Sequence, residues 1–224
     1  MTGAASGIGQ AVALRFAQEG ARLVLADLNP CDATQALIQD VGGTAIQQRV
    51  NTTLDTDCDA MIAAGIRQDP VPFMDVAMAD FERMIDINMF GVLRSARAVA
   101  RQMLAQGQGG TIVNIASTAG KIPIPGSAPY CMAKAGLIMM TKVMALELAQ
   151  TGIRVNAVAP GFTATPMWDV AAGSEEDKWA MSLTPMNRVG TPREQADACL
   201  FLACADSSYT TGQTLYSAGG QFVD

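Results

Sequence analysis

The sequence contains no histidine in 224 residues, and that absence narrows its chemistry more than any other feature. Ser-His-Asp and Cys-His nucleophile schemes are excluded, because no imidazole is available as the base. The commonest ligand of a catalytic zinc is missing too, and no metal site is expected. Proton transfer therefore falls to tyrosine, lysine, cysteine or a carboxylate. No window approaches the uninterrupted apolar span of a membrane helix. The first residues lack the basic start and apolar stretch of a signal peptide. There is no basic run and the net charge is -6, which argues against nucleic acid as a partner. Cys31, Cys58, Cys131, Cys199 and Cys204 are odd in number and form no Cys-x-x-Cys pair. That pattern suits a reducing compartment, and a cytoplasmic location is expected.

What is present is a chain that is 50% hydrophobic, enough to bury one sizeable core. No repeat, low-complexity tract or linker divides it, so residues 1–224 are read as a single domain. Near the start, Thr2-Gly3-Ala4-Ala5-Ser6-Gly7-Ile8-Gly9 is a glycine-rich turn feeding a helix over 10–19. Such a turn lets backbone N–H groups and a helix N-terminus face an anionic pyrophosphate. Residues 21–27 then read as a buried parallel strand ending in Asp27. That acid lies 20 residues after Gly7, where a carboxylate can accept the ribose hydroxyls of an adenosine. Turn, helix, strand and terminal acid together point to dinucleotide binding; the glycines alone would equally suit a plain tight turn.

The alternation continues with a helix over 32–39, a strand over 44–50 and a helix over 57–68. Residues 75–106 are predicted to be mostly helical and largely buried, on the strength of Phe81, Met84, Ile85, Ile87 and Met89. Residues 110–117 form a strand that delivers Ser117 at its C-terminal end, where ligands sit in open α/β sheets. A further strand over 153–159 leads into Pro160-Gly161. The polar stretch 162–188, with both tryptophans, is read as a candidate lid over the site. A helix over 192–204 and a strand over 213–216 close the chain.

A long proline-free helix is predicted from Pro129 to about residue 150. On it Tyr130 and Lys134 stand four apart and project from one face. An ammonium beside a phenol favours the phenolate, so this tyrosine can exchange a proton with a substrate hydroxyl or carbonyl.

Jointly these motifs resemble the classical branch of the short-chain dehydrogenase/reductase family. They are Thr2-Gly3-x-x-x-Gly7-Ile8-Gly9, Asp27, Asn88, Ser117, Tyr130-x-x-x-Lys134, and Pro160-Gly161 followed by Thr165. The resemblance implies a Rossmann-like α/β fold with a doubly wound parallel sheet. It implies Tyr130 as general acid/base and Ser117 as hydrogen-bond partner of the substrate oxygen. Lys134 would assist the tyrosine and hold the nicotinamide ribose, while Asn88 would hold a water of the proton relay. Gly3, Ser6, Gly7, Ile8, Gly9 and Asp27 would bind the dinucleotide, with Pro160, Gly161, Thr163 and Thr165 near its carboxamide. NAD is expected rather than NADP, because a 2'-phosphate would meet the Asp27 carboxylate and Ser6 offers no compensating charge. The helices around 75–106 and 129–150, with Met139, Met140, Met144 and Leu148 along a second face, suggest a homodimer or homotetramer.

Two strands of the family's sheet have no residues here, one before the glycine turn and one between Gln68 and Asp69. The expectation is that residues belonging to the molecule fall outside this sequence; a truncated, rearranged chain is the alternative. The family's acid beside the adenine is replaced by Arg49 or Asn51. The leading reading is an NAD-dependent oxidoreductase interconverting a secondary alcohol and a ketone. The alternatives are a catalytically inactive dinucleotide-binding relative acting as sensor or scaffold, and a structural subunit. Ala119, Ile122, Pro160, Phe162 and Trp168 suggest an apolar substrate pocket.

Overall fold

The computed structural model describes residues 1–51 and 70–223. The helix expected over 57–68, Cys58 and the junction of Gln68 with Asp69 lie outside the described residues. The described strands are all parallel and form two sheets. In the first, β1 (Arg22–Asp27) pairs with β2 (Thr44–Arg49) from Arg22 opposite Thr44 to Asp27 opposite Arg49. In the second, β4 (Ile153–Pro160) lies between β3 (Gly110–Ile115) and β5 (Thr214–Ser217). Seven of the eight β4 residues are buried, which is why it reads as a continuous apolar run instead of an alternating one. β2 is an edge and is exposed along most of its length.

The predicted doubly wound sheet is thus present in two parts. Beside β1, on the side away from β2, only the chain start is placed among the described residues. Met1 O accepts from Ala26 N at 2.8 Å, and Thr2 bridges to Ala26 in parallel. The Met1 side chain packs against the clusters of both sheets.

Helix α1 (Gly7–Gln18) buries Val12, Ala13 and Ala17. Val12 packs with Val158 of β4 and with Ala196, Cys199 and Leu202 of α7 (Pro192–Ala203), so α1 and α7 share one layer over the second sheet. Helix α2 (Asp32–Asp40) buries Ile38 and Thr34 beside the glycine turn. Thr34 Oγ1 donates to Ala4 O at 2.7 Å and accepts from Gln10 Nε2 at 2.9 Å, locking the turn to α2. Arg154 secures the other end of β4. Its guanidinium donates to the carbonyls of Leu202 and Cys204 at the end of α7 and to Thr210 O and Ser207 Oγ. A cation at a helix C-terminus meets the negative end of the backbone dipole.

The 75–106 stretch departs from the expected buried helix. It divides into a short 3-10 turn (Phe73–Asp75), α3 (Met78–Ile85), a π-turn (Asp86–Phe90) and α4 (Gly91–Gln106). Met84 and Asn88 are buried, whereas Phe81, Ile85, Ile87 and Met89 are half-buried. The extra residue of the π-turn rotates the chain, so one apolar stripe cannot stay buried through both helices.

Helix α5 (Ala128–Leu148) requires a second correction. Met140, Met144 and Leu148 face the sheet clusters; they do not form a free face. The exposed apolar side chains are Met132, Met139, Val143 and Leu146.

Candidate active site

Because the strands are parallel, Asp27, Ser117, Pro160 and Ser217 all lie at C-terminal strand ends. The site is assembled along that edge.

At β1 the glycine turn holds Gly7 at φ +57, a conformation that only glycine adopts without strain. A Cβ on Gly9 would lie 1.9 Å from Gly3 O, so α1 starts in direct contact with the turn. Ser6 is the exposed N-cap, and its hydroxyl makes no capping bond. The amides at the start of α1 have no partners within the helix and face outward with the positive end of its dipole. Asp27 is buried at 6% exposure, with Oδ2 accepting from Ala5 N at 3.0 Å and Oδ1 from Asn29 N at 2.9 Å. Two backbone donors fix the carboxylate's orientation and leave lone pairs on both oxygens. The turn, the helix start and the oriented acid fit a dinucleotide. Arg49, opposite Asp27 in β2, sends Nε to Leu28 O at 3.2 Å.

Beyond β3, Ser117 caps a 3-10 turn (Thr118–Gly120), and its Oγ accepts from Ala119 N at 3.2 Å. A Cβ on Gly120 would meet the backbone of Lys134 at 2.9 Å, so this turn rests directly on α5. Tyr130 is half-buried in the first turn of α5. Lys134, one turn on, is buried at 5% exposure. Its Nζ donates to Ile115 O at 3.1 Å and stands 5.6 Å from the centre of the Tyr130 ring. Burial lowers the ammonium's pKa to about 8. The charge is therefore present at neutral pH and is lost as pH rises through about 8. The Ile115 carbonyl, on the last residue of β3, is the contact that sequence reasoning missed. A backbone acceptor carries no side-chain signature.

Asn88 sits in the π-turn, fully buried, and its Nδ2 donates back to Met84 O at 3.3 Å. π-turns recur at functional sites because they turn one side chain out of helical register. The last group follows β4. Gly161 N donates to Ser217 O at 3.2 Å, and Thr163 Oγ1 donates to Gly161 O at 3.0 Å while accepting from Gln195 Nε2 at 3.3 Å. Thr163 is buried, and its hydroxyl is engaged within the protein. Thr165 comes within 3.6 Å of the Cβ position of Gly7, which joins the β4 loop to the glycine turn. Phe162 contacts Trp168 at 4.9 Å and Trp179, in α6 (Glu175–Ser182), at 5.6 Å. The sequence places Phe162 and Trp168 in an apolar pocket and Trp179 only within the 162–188 stretch; the three rings meet in the structure. Ala119 and Ile122 line a shallow cavity with Cys131 and Met132, between the Ser117 turn and α5. Among the described residues no cluster of carboxylates and cysteines could hold a metal ion.

Comparison with known proteins decides the family. A family model described as enoyl-(acyl carrier protein) reductase matches residues 3–221. The 3-oxoacyl-[acyl-carrier-protein] reductase of Thermotoga maritima is 37% identical over 241 residues, spanning 100% of this chain and 96% of the relative. The chain belongs to the short-chain dehydrogenase/reductase family. Another member, the (3R)-3-hydroxyacyl-CoA dehydrogenase of Homo sapiens, is 34% identical over 249 residues, covering 100% of this chain and 94% of that protein. A crystal structure of a short-chain dehydrogenase/reductase from Mycobacterium marinum superimposes with a TM-score of 0.94 at 33% identity, covering 100% of this chain and 94% of the other. Solved members of the family hold either NAD or NADP. The alignment with the Thermotoga protein is longer than this chain, so that relative carries residues with no counterpart here. No helix among the described residues is long and apolar enough to cross a membrane.

Proposed function

We propose that this short-chain dehydrogenase/reductase interconverts a secondary alcohol and a ketone with NAD(H), using Tyr130 as general acid/base. The observation that carries the reading is Lys134. A lysine buried at 5% exposure, donating to a strand-end carbonyl and stacked 5.6 Å from a tyrosine ring, serves poorly as a packing residue. Its ammonium stabilises negative charge on the phenol oxygen, which suits a proton donor that must become a base in reverse. When bound, the nicotinamide supplies or accepts the hydride.

In the reducing direction Tyr130 gives its O–H proton to the carbonyl oxygen, and Ser117 hydrogen-bonds the same oxygen and orients it. Asn88 holds the water through which Tyr130 is reprotonated. Gly3, Ser6, Gly7, Ile8 and Gly9 bind the pyrophosphate, and Asp27 binds the adenosine ribose. Lys134 reaches the nicotinamide ribose, while Pro160, Gly161, Thr163 and Thr165 line the carboxamide side, the buried Thr163 through its backbone. The oriented carboxylate of Asp27 repels a 2'-phosphate, and Ser6 supplies no positive charge against it, which supports NAD. Residues 162–188 act as a lid hinged on the Phe162–Trp168–Trp179 cluster. Met132, Met139, Val143 and Leu146 of α5, with Phe90 and Leu104 beside and along α4, are covered by a second copy of the chain.

The test is NADH and NADPH oxidation with a panel of ketones that includes 3-oxoacyl thioesters, the chemistry named for two of its relatives. NADH-dependent turnover well above that with NADPH is expected. Equal or better turnover with NADPH overturns the choice of NAD, and NADH binding without turnover on any ketone overturns the catalytic reading.

A further inference from the structure

Three loops that converge on the site are joined by one short segment that plays no part in the reaction scheme above. This is the stretch from Ser217, the last residue of β5, to Phe222. Toward the Ser117 turn, Thr118 Oγ1 donates to Gln221 Oε1 at 3.2 Å, and Lys121 Nζ stands 5.9 Å from the Phe222 ring centre. Toward the β4 loop, Gln221 Oε1 comes within 2.7 Å of the Cβ position of Gly161. There the Gly161 amide also donates to Ser217 O at 3.2 Å. Toward the 162–188 stretch, Met186 N donates to Gly219 O at 3.0 Å, and Gly220 packs on Pro185. Phe222 anchors the segment back onto β5 through Tyr216, with ring centres 4.5 Å apart.

One atom, Gln221 Oε1, thus accepts from the residue after Ser117 and fills the space beside the residue after Pro160, where any side chain would collide with it. Thr118 is buried at 3% exposure, so its hydroxyl has little access to water as an alternative partner. We propose that Gln221 is a positioning residue. Acting through Thr118, it holds the Ser117 turn in register with the Gly161 loop, while the glycine backbone beside it ties in residues 184–186. Side chains that fix reacting groups to sub-ångström tolerance affect rate without touching substrate. For its kinetic consequence this inference rests on the alcohol–ketone chemistry proposed above; its structural consequence does not.

The experiment compares Gln221→Leu, which removes the acceptor at similar size, with Gln221→Glu, which retains an acceptor oxygen. Amide hydrogen exchange followed by mass spectrometry reads the loops directly, with β1 and α1 as internal reference. In Gln221→Leu, exchange of peptides covering 117–121 and 184–186 should rise on the order of fivefold or more while the reference is unchanged. Gln221→Glu should retain wild-type exchange. With a working ketone, kcat of Gln221→Leu should fall on the order of tenfold with the dinucleotide Kd unchanged, and Gln221→Glu should restore it. Thr118→Val deletes the same bond from the other side and should reproduce the exchange pattern, the double variant being no worse than either single one. Unchanged exchange in both Gln221→Leu and Thr118→Val overturns the proposal. So does equal impairment of Gln221→Leu and Gln221→Glu, which would reduce the residue to packing. If the wild-type chain turns over no ketone, the reaction proposed above fails, and the exchange data still decide this inference.

Discussion

The two halves of the site are built by different means. The half at β1 is made of backbone: a turn that glycine alone permits, the amides of α1, and one carboxylate oriented by two N–H groups. The half at β3, β4 and α5 is made of side chains brought from separate strand ends, with a buried ammonium at its centre. A backbone site is set by local conformation over a few consecutive residues. A side-chain site depends on how the strand ends are packed against one another. The first should therefore fail as a unit when its geometry is disturbed, whereas the second should lose chemistry while keeping its structure.

The most severe test of that contrast is Tyr130→Phe. Removing one hydroxyl from a half-buried ring should lower kcat by about 10³-fold, the usual yield of general acid/base catalysis, with Tm and dinucleotide affinity nearly unchanged. Steady-state rates, a fluorescence titration with NADH and a thermal melt check it; a variant retaining most of its activity would remove Tyr130 from the mechanism.

Gly9→Ala makes the opposite break. The added methyl would lie 1.9 Å from Gly3 O, and relieving that clash by moving turn and helix apart should cost about 2 kcal/mol of stability. Dinucleotide affinity should be lost along with it, while Tyr130 and Lys134 stay in place. Unaltered Tm and NADH affinity would show that the turn is less constrained than its geometry implies.

The smallest effect sharpens the comparison instead of breaking it. Burial of Lys134 carries a cost, since its pKa falls from 10.5 to about 8. Below about pH 8 the charged amine is present in both folded and unfolded chains, and burial penalises the folded one. Between about 8 and 10.5 the folded chain holds fewer protons, so stability rises with pH across that window. Lys134→Met removes the penalty and also the bond to Ile115 O, for a net gain of about 1–2 kcal/mol at pH 7. The gain should shrink to nothing as pH approaches about 10.5, because the folded lysine is by then neutral and most of the burial penalty has been relieved. Turnover should be lost throughout. Denaturant melts at pH 7 and pH 10 test this, and a variant less stable than wild type at pH 7 would mean that the ammonium is well solvated or paired.

Much of the β1 half is legible in the sequence. The glycine turn, β1 and Asp27 are contiguous, so spacing alone specifies them. The i, i+4 pairing of Tyr130 with Lys134 likewise follows from helical geometry. The 75–106 stretch is harder to read, because a π-turn leaves no periodic signal and only packing shows which apolar side chains stay half-exposed. The same holds for α5, where Met139 is exposed while its neighbour Met140 reaches the sheet. An apolar pattern says that a side chain can be buried, and the partner surface determines whether it is.

By itself, then, the sequence determined the chemistry available: no imidazole, a tyrosine and a lysine on one helical face, a glycine-rich backbone turn and an acid at a strand end. These are local properties, set by side-chain identity and by helical and turn geometry. Tertiary structure alone decided that Lys134 is buried against Ile115 O, that Thr165 reaches the glycine turn, and that Gln221 joins two loops remote from it in sequence. Those contacts form between chain segments with no sequence relation to one another, and only the packing of parallel strand ends brings them together.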